Sequence, residues 1–185
     1  MRQVIASAIV VLAIASTAAV AVPMTLRSAE VKPNATITEQ YVYKGFGCNG
    51  GNVSPSLAWK DAPAGTKSFA VTVYDPDAPT GSGWWHWVVF NIPASTTSLP
   101  AGAGNPGSSG MPQGAIQSRT DFGPPGYGGP CPPPGDKAHR YIFTVYALKV
   151  DNLGLDANAS PAMVGFAINA NKIAKAHFIG RYGRK

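Results

Sequence analysis

The density of glycine and proline constrains this chain more than any other feature of its sequence. There are 21 glycines and 17 prolines among 185 residues, and they make up more than half of residues 100–135. Both residue types disfavour the interior of a helix and suit turns and strand ends. Charged residues are also sparse, at 13%. The sequence therefore predicts an all-β dominated fold with a few peripheral helices, and it argues against a helical bundle.

Three segments have the composition of buried strands, namely 68–74, 84–92 and 141–148. The first alternates and is rich in β-branched residues, whereas the other two are apolar on both alternating faces. Strands that are apolar on both faces are typical of a position between two layers. Weaker strands are expected at 35–41 and 57–59.

A single clear helix is predicted to begin at Ser160, with Pro161 in its first position. Apolar residues at helical spacing continue from there, so we expect one apolar face. The residues assigned to this face are Met163, Phe166, Ala170, Ile173, Ala174 and His177. We expect His177 to be a packing or capping residue and not a ligand.

The first 21 residues have the pattern of a secretory signal, which predicts a periplasmic or secreted protein. Arg2 provides a positive start, residues 4–15 are apolar, and an Ala-Val-Ala cleavage site ends at Ala21. The alternative is an uncleaved anchor, but serine, threonine and alanine weaken this stretch as a permanent span. No later segment is apolar for long enough to cross a bilayer. Residues 1–21 are therefore assigned to a signal peptide and residues 22–185 to one domain.

Export to an oxidising compartment would change the expected state of the two cysteines. In an oxidising compartment an even pair favours a disulfide between Cys48 and Cys131. That bond would close a loop of 83 residues, which corresponds to about 4 kcal/mol in the chain-entropy model. The alternative is two buried free thiols. A zinc or redox site is not expected, because the sequence has no C-x-x-C spacing.

Two separated segments gather most of the polar groups that could form a pocket. The first contains Asp75 and Asp77 on either side of a proline, and it leads to a strand carrying His86. The second is a Gly/Pro run that ends at His139. Because residues two apart in an extended chain end point in opposite directions, one aspartate can face a pocket while the other bonds backbone amides. The alternative is that both aspartates only stabilise the turn.

Pairing of these strands would bring both imidazoles together with an aspartate. The imidazoles could then present N–H donors to an anion, and the amides of Gly128 and Gly129 could approach it closely. A lone histidine on an apolar strand is more often a core group, but two at equivalent strand starts are less easily explained in that way.

Other chemistries fit the sequence less well. A metal site using Asp75, His86 and His139 matches no standard spacing. A hydrolase would need a nucleophile, and neither G-x-S-x-G nor a phosphate-binding P-loop motif is present. The basic cluster 181–185 is interpreted as a solvated tail, because nucleic-acid binding would require basic residues along a face. We therefore expect a protein that is not an enzyme, with no metal, no cofactor and no nucleic-acid partner.

The motifs resemble those of the phosphatidylethanolamine-binding protein family, also called Raf-kinase-inhibitor-like. The resemblance is carried by Asp75–Pro79, the His86-Trp87 strand, and the Gly129–Pro133 run with His139–Tyr141. It is closest to the bacterial YbhB/YbcL-type branch. Segments 46–56, 81–86 and 169–173 are similar to its exported, YbcL-like members.

This resemblance implies a β-sandwich with a pocket for phosphate or phospholipid-headgroup anions. The implied ligand-binding residues are Asp75, Asp77, His86, Gly129, Pro132, Pro133, His139 and Tyr141. The chain departs from eukaryotic members at Cys131, at 136–138, and after Gly180, where no pocket-closing helix is recognisable. Kinase regulation is therefore not carried over.

A second function remains open at this point. The chain could act as a protein-interaction or inhibitor module, directed at a protease, a kinase or a host signalling factor. The long 100–135 segment and the basic tail would then form its contact surface.

Overall fold

The computed structural model describes residues 22–185. The predicted signal peptide, residues 1–21, lies outside the described residues. Within the described part of the chain, no helix combines the length and the apolar character needed to cross a membrane.

The described residues form ten strands and one α-helix, which confirms the all-β dominated prediction. The strands are β1 Thr25–Arg27, β2 Lys44–Gly45, β3 Cys48–Asn49, β4 Leu57–Lys60, β5 Ser68–Asp75, β6 Trp84–Pro93, β7 Ser98–Leu99, β8 Ile116–Gln117, β9 His139–Leu148 and β10 Lys172–Tyr182. The helix α1 spans Pro161–Asn171, and a short 3-10 helix spans Glu39–Tyr41.

Two sheets and a hairpin organise these strands. The larger sheet has the order β10-β9-β5-β6-β8, the smaller sheet has the order β1-β4-β7, and β2 pairs with β3. Neighbouring strands of the larger sheet run antiparallel. The long central strands β5, β6 and β9 supply the frame on which the site described below is built.

The central strands are buried on both faces, as their apolar sequences predict. Their inner face packs against the smaller sheet in the main core, where Trp59 of β4 contacts Phe69 of β5 at 5.3 Å between ring centroids. Their outer face is partly covered by α1, through Val164 and Ile168. The three strong strand predictions and the weaker one at 57–59 are therefore confirmed.

The predicted strand at 35–41 is wrong. Only Thr36 forms a bridge, parallel to Arg181 of β10, and the chain then turns into the 3-10 helix. Ile37 and Tyr41 are buried, so the apolar pattern that suggested a strand marks core contacts made by an irregular segment.

The predicted helix begins where expected but ends earlier. The Ser160 side chain accepts a hydrogen bond from the Met163 amide at 3.2 Å, which confirms the N-cap. Residues from Lys172 onward form the edge strand β10, in which alternate residues such as Ala176 and Phe178 are buried. Phe178 stacks on Phe143 of β9 at 4.9 Å, and this packing favours a strand over a longer helix.

The predicted apolar face of the helix is also wrong, because α1 packs on the larger sheet through a different set of residues. The helix buries Pro161, Val164 and Ile168, whereas Met163 and Phe166 are exposed to 52% and 73%. His177 lies on β10 with an exposed side chain, so it is neither packed nor capping.

The 100–135 segment has almost no regular structure, as predicted, but much of it is built into the core. Ala103 and Tyr127 are buried, and the Tyr127 hydroxyl donates to the Tyr41 carbonyl at 2.9 Å. The Ser54 hydroxyl accepts a hydrogen bond from the Gly104 amide at 2.8 Å. Deletion of the whole segment would therefore disrupt the fold, so it cannot be treated as a detachable contact loop.

A disulfide joins Cys48 to Cys131, with an S–S distance of 2.13 Å. It links the β2–β3 hairpin to the Gly/Pro run that precedes β9. Both segments border the cavity described next.

Candidate functional site

The polar residues of the two motifs meet at one end of the larger sheet. Asp75 is the last residue of β5, His86 is the third of β6, and His139 and Tyr141 open β9. Because β5 pairs with both β6 and β9, these side chains come together at the edge of the main core. All four line a cavity of about 190 Å³.

Asp75 and His139 form a buried pair. His139 Nδ1 donates to Asp75 Oδ2 at 2.7 Å, and both side chains are at most 5% exposed. The other carboxylate oxygen of Asp75 accepts the Asp77 amide at 2.8 Å. The half-exposed carboxylate of Asp136 lies 3.4 Å from His139 Nε2. Asp75 therefore fixes the orientation of the His139 ring.

His86 is held as a neutral ring that donates through Nδ1 and can accept through Nε2. Its Nδ1 donates to the Gly128 carbonyl at 2.7 Å, and its backbone carbonyl accepts the Gly128 amide at 2.8 Å. Burial lowers the pKa of His86 to about 4, although the hydrogen bond to Gly128 opposes this shift. At neutral pH the ring is uncharged, so Nε2 carries a lone pair that can accept a hydrogen bond from a ligand. The prediction that His86 presents an N–H donor to an anion is therefore wrong, because its one N–H is bonded to Gly128.

Two buried donors among the cavity-lining residues have no hydrogen-bond partner within residues 22–185. They are the Tyr141 hydroxyl and the Trp84 indole Nε1. Burial raises the pKa of Tyr141, so its hydroxyl keeps its proton and can donate. A buried donor without a partner loses about 1–3 kcal/mol of solvation, and a ligand acceptor would recover it.

The Gly/Pro run forms the opposite wall. Pro132 and Pro133 line the cavity as predicted. Gly129 lies behind them: its amide donates to Asn52 Oδ1 at 2.8 Å, and a Cβ there would lie 2.1 Å from the Tyr41 carbonyl oxygen. Gly129 is thus needed for close backbone approach and does not itself line the cavity. The backbone amides of Gly128 and Gly129 are both used internally.

Asp77 lies outside the cavity. Its carboxylate forms a two-pronged pair with Arg140, with Oδ1 2.6 Å from Nη2 and Oδ2 2.9 Å from Nε. Hydrogen bonds from the Arg140 side chain lower the pKa of Asp77 to about 2. The two aspartates therefore point in different directions, as expected for residues two apart in an extended chain end. Asp75 faces the cavity and Asp77 faces Arg140 of β9.

An aromatic wall completes the cavity, and most of it was missed from the sequence. Phe46, Trp84 and Phe122 all line the space. Phe122 lies edge-on to His86 at 5.3 Å and to Trp84 at 5.4 Å between ring centroids. Trp84 could have been identified, because it shares the face of β6 with His86. Phe122 lies in the irregular segment, where no sequence pattern indicates which way a side chain points.

The lining contains hydrogen-bonding groups and apolar surface, but neither lysine nor arginine. Thr80 contributes a hydroxyl, which donates to the Gly83 carbonyl at 2.6 Å, and Cys131 is held in the disulfide. Among the described residues, no cluster of three or more His, Cys, Asp or Glu side chains is arranged to hold a metal ion. The chemistry of the site is therefore that of neutral donors and acceptors around an aspartate–histidine pair.

Comparison with known proteins places these features in a wider group. The family model described as "Phosphatidylethanolamine-binding protein" matches residues 27–183. The UPF0098 protein YbcL of Escherichia coli is 55% identical over 172 residues, covering 93% of this chain and 94% of the relative. The UPF0098 protein YbhB of the same organism is 54% identical over 153 residues, covering 83% of this chain and 96% of the relative.

The crystal structure of E. coli YbcL has the same fold. It superposes with a TM-score of 0.87 over 89% of this chain and 100% of the other, and its description calls YbcL a new member of the mammalian PEBP family. The β-sandwich implied by the sequence resemblance is therefore confirmed as the fold.

Proposed function

Because this chain belongs to the phosphatidylethanolamine-binding protein family, we propose that it is an exported, non-enzymatic protein that binds a phosphate-type anion. The ligand is inorganic phosphate or a phosphate group carried by a larger molecule, such as a phospholipid headgroup. The proposed binding residues are those that line the cavity.

The observation that carries this proposal is the pair of unpartnered buried donors at Tyr141 and Trp84, beside the Asp75–His139 pair. A phosphate oxygen can accept several hydrogen bonds at once, and hydrogen bonds to an ionised acceptor are the stronger ones. An apolar cavity strengthens such bonds because water does not compete for them.

Two features support a binding role over catalysis. Neither a serine hydroxyl nor a free thiol lines the cavity, and the single threonine hydroxyl there is bonded to the Gly83 carbonyl. The Asp75–His139 pair has the form of a general base, but in the contacts described it is hydrogen-bonded to no hydroxyl that it could activate. The side chains therefore suit holding an anion more than attacking a bond.

Export is supported by the disulfide. Disulfides persist in oxidising compartments and are rare in the cytosol, so the Cys48–Cys131 bond fits a periplasmic or secreted protein. The predicted signal peptide leads to the same proposal.

The neutral state of His86 predicts how binding depends on pH. Its pKa of about 4 leaves Nε2 as an acceptor above pH 5, and a phosphate monoanion can donate to it whereas the dianion cannot. Because a phosphate monoester has its second pKa near 6, the monoanion becomes common as the pH falls. We expect the affinity for phosphoethanolamine, measured by calorimetry, to rise about tenfold between pH 7.5 and pH 5.5.

Sulfate is the matched control, because it carries no proton in this range. Its affinity should stay nearly constant over the same pH interval. An equal rise for sulfate would show that the proton is taken up by the protein, and it would contradict the role given to neutral His86. Absence of phosphoethanolamine binding at both pH values would reject the proposed function.

A further inference from the structure

Phe46 occupies an unusual position at the mouth of the cavity. It is the first residue of the two-residue turn between β2 and β3, and its side chain is 66% exposed. Its φ is +51° and that of Gly47 is +77°, so both turn residues are left-handed. Turns of this kind favour asparagine, aspartate or glycine, and an aromatic side chain there is disfavoured both by its backbone and by its contact with water.

The hairpin tip is nevertheless fixed firmly in place. The disulfide ties β3 to the Gly/Pro wall through Cys131. The Arg184 guanidinium donates to the Phe46 carbonyl at 3.3 Å, to the Gly47 carbonyl at 3.1 Å and to the Pro132 carbonyl at 2.6 Å. The interpretation of 181–185 as a solvated tail is therefore wrong for Arg184. The same two segments are thus joined twice, once covalently and once by a cation.

The Phe46 ring is held beside the cavity without being buried. It stacks on Phe122 at 5.9 Å and lies 5.5 Å from Tyr43, and it lines the cavity together with Pro132 and Pro133. About two thirds of the residue is exposed, so burial does not offset the cost of an aromatic residue in a left-handed backbone. A ligand that covers the ring would explain it.

The size of the cavity indicates what such a ligand contains. Its volume of about 190 Å³ far exceeds the roughly 10–15 Å³ that one water requires when measured in this way. A phosphate group bound at Tyr141 and Trp84 would leave the apolar part of the lining uncovered.

We propose that Phe46 is a specificity-determining residue that contacts an apolar substituent on the ligand. The ligand class is then a phosphate ester with an apolar group next to the phosphate, and inorganic phosphate is the weaker ligand. This inference rests on the proposed function, because it assigns the part of the ligand that lies outside the phosphate subsite.

The test compares inorganic phosphate with phenyl phosphate in wild type and in Phe46→Asn. Asparagine tolerates the left-handed turn, so the variant should fold at least as stably as wild type, which thermal unfolding verifies. Wild type should bind phenyl phosphate about tenfold more tightly than phosphate. Phe46→Asn should lose that preference and keep its phosphate affinity within about twofold of wild type.

The matched control is Phe166→Asn, since Phe166 is 73% exposed on α1, which packs on the opposite face of the larger sheet. It should bind both probes as wild type does. Two results would overturn the role of Phe46 but leave the proposed function standing. Wild type could bind phenyl phosphate no more tightly than phosphate, or Phe46→Asn could lose affinity for both probes equally. Failure of wild type to bind either probe would remove the proposed function as well.

A second experiment, with lipid vesicles, determines whether the ester is a lipid or a soluble molecule. Phosphatidylcholine vesicles with and without phosphatidic acid, a lipid phosphate monoester, are sedimented with each variant. Sedimentation that needs both phosphatidic acid and Phe46 assigns the ester to a lipid. A preference for phenyl phosphate without sedimentation assigns it to a soluble molecule, and both results support the role of Phe46.

Discussion

Replacing Asp75 with alanine is expected to lower the free energy of unfolding by about 2–5 kcal/mol, because two hydrogen-bond donors lose their acceptor. The substitution leaves the buried His139 Nδ1 donor without its acceptor and removes the acceptor of the Asp77 amide. Urea or thermal unfolding followed by circular dichroism measures the loss.

Asp77→Ala is the matched control, two residues away in the same motif. Its carboxylate is 29% exposed and its partner Arg140 is 44% exposed, so solvent screens the pair and can replace it. The expected loss is much smaller than for Asp75. Equal losses for the two variants would contradict the assignment of Asp75 to the cavity and Asp77 to the surface.

Removing the disulfide is expected to lower the free energy of unfolding by about 4 kcal/mol, because the bond closes a long loop in the unfolded chain. Cys48→Ser and Cys131→Ser should each produce nearly the whole loss, and the double variant should add little, since either single change breaks the bond. Mass spectrometry of protein purified without reductant should find the pair lacking two hydrogens. Two alkylatable thiols in protein purified without reductant, or losses in the single variants that add up in the double variant, would contradict this account.

The central strands could be predicted because strands that are buried on both faces have nearly continuous apolar sequences. The segments 68–74, 84–92 and 141–148 each correspond to an observed strand, with ends that differ by at most two residues. Strand β10 could not be identified, because Ile173, Ala174 and His177 continue the helical spacing of the residues before them. These residues form a strand because they pair with β9. That pairing is a long-range contact, and the periodicity of a local segment cannot predict it.

The site was predicted in part for a similar reason. Asp75, His86, His139 and Tyr141 lie at strand ends whose pairing brings them together, so their convergence follows from the order of the strands. The sequence did not reveal that the Gly128 carbonyl would take the Nδ1 proton of His86, or that Arg140 would pair with Asp77. Those assignments depend on how the irregular segments fold over the sheet.

The proposal that the cavity binds an anion is tested most directly by NMR of the histidine side chains during titration with inorganic phosphate. His86 and His139 signals should shift and saturate, while His177, exposed on β10, stays unchanged and serves as an internal control. Tyr141→Phe should weaken binding about tenfold or more by removing one donor to a charged ligand, whereas Tyr74→Phe, outside this cavity, should not. Unchanged His86 and His139 signals at millimolar phosphate, or equal binding by Tyr141→Phe and wild type, would contradict the account.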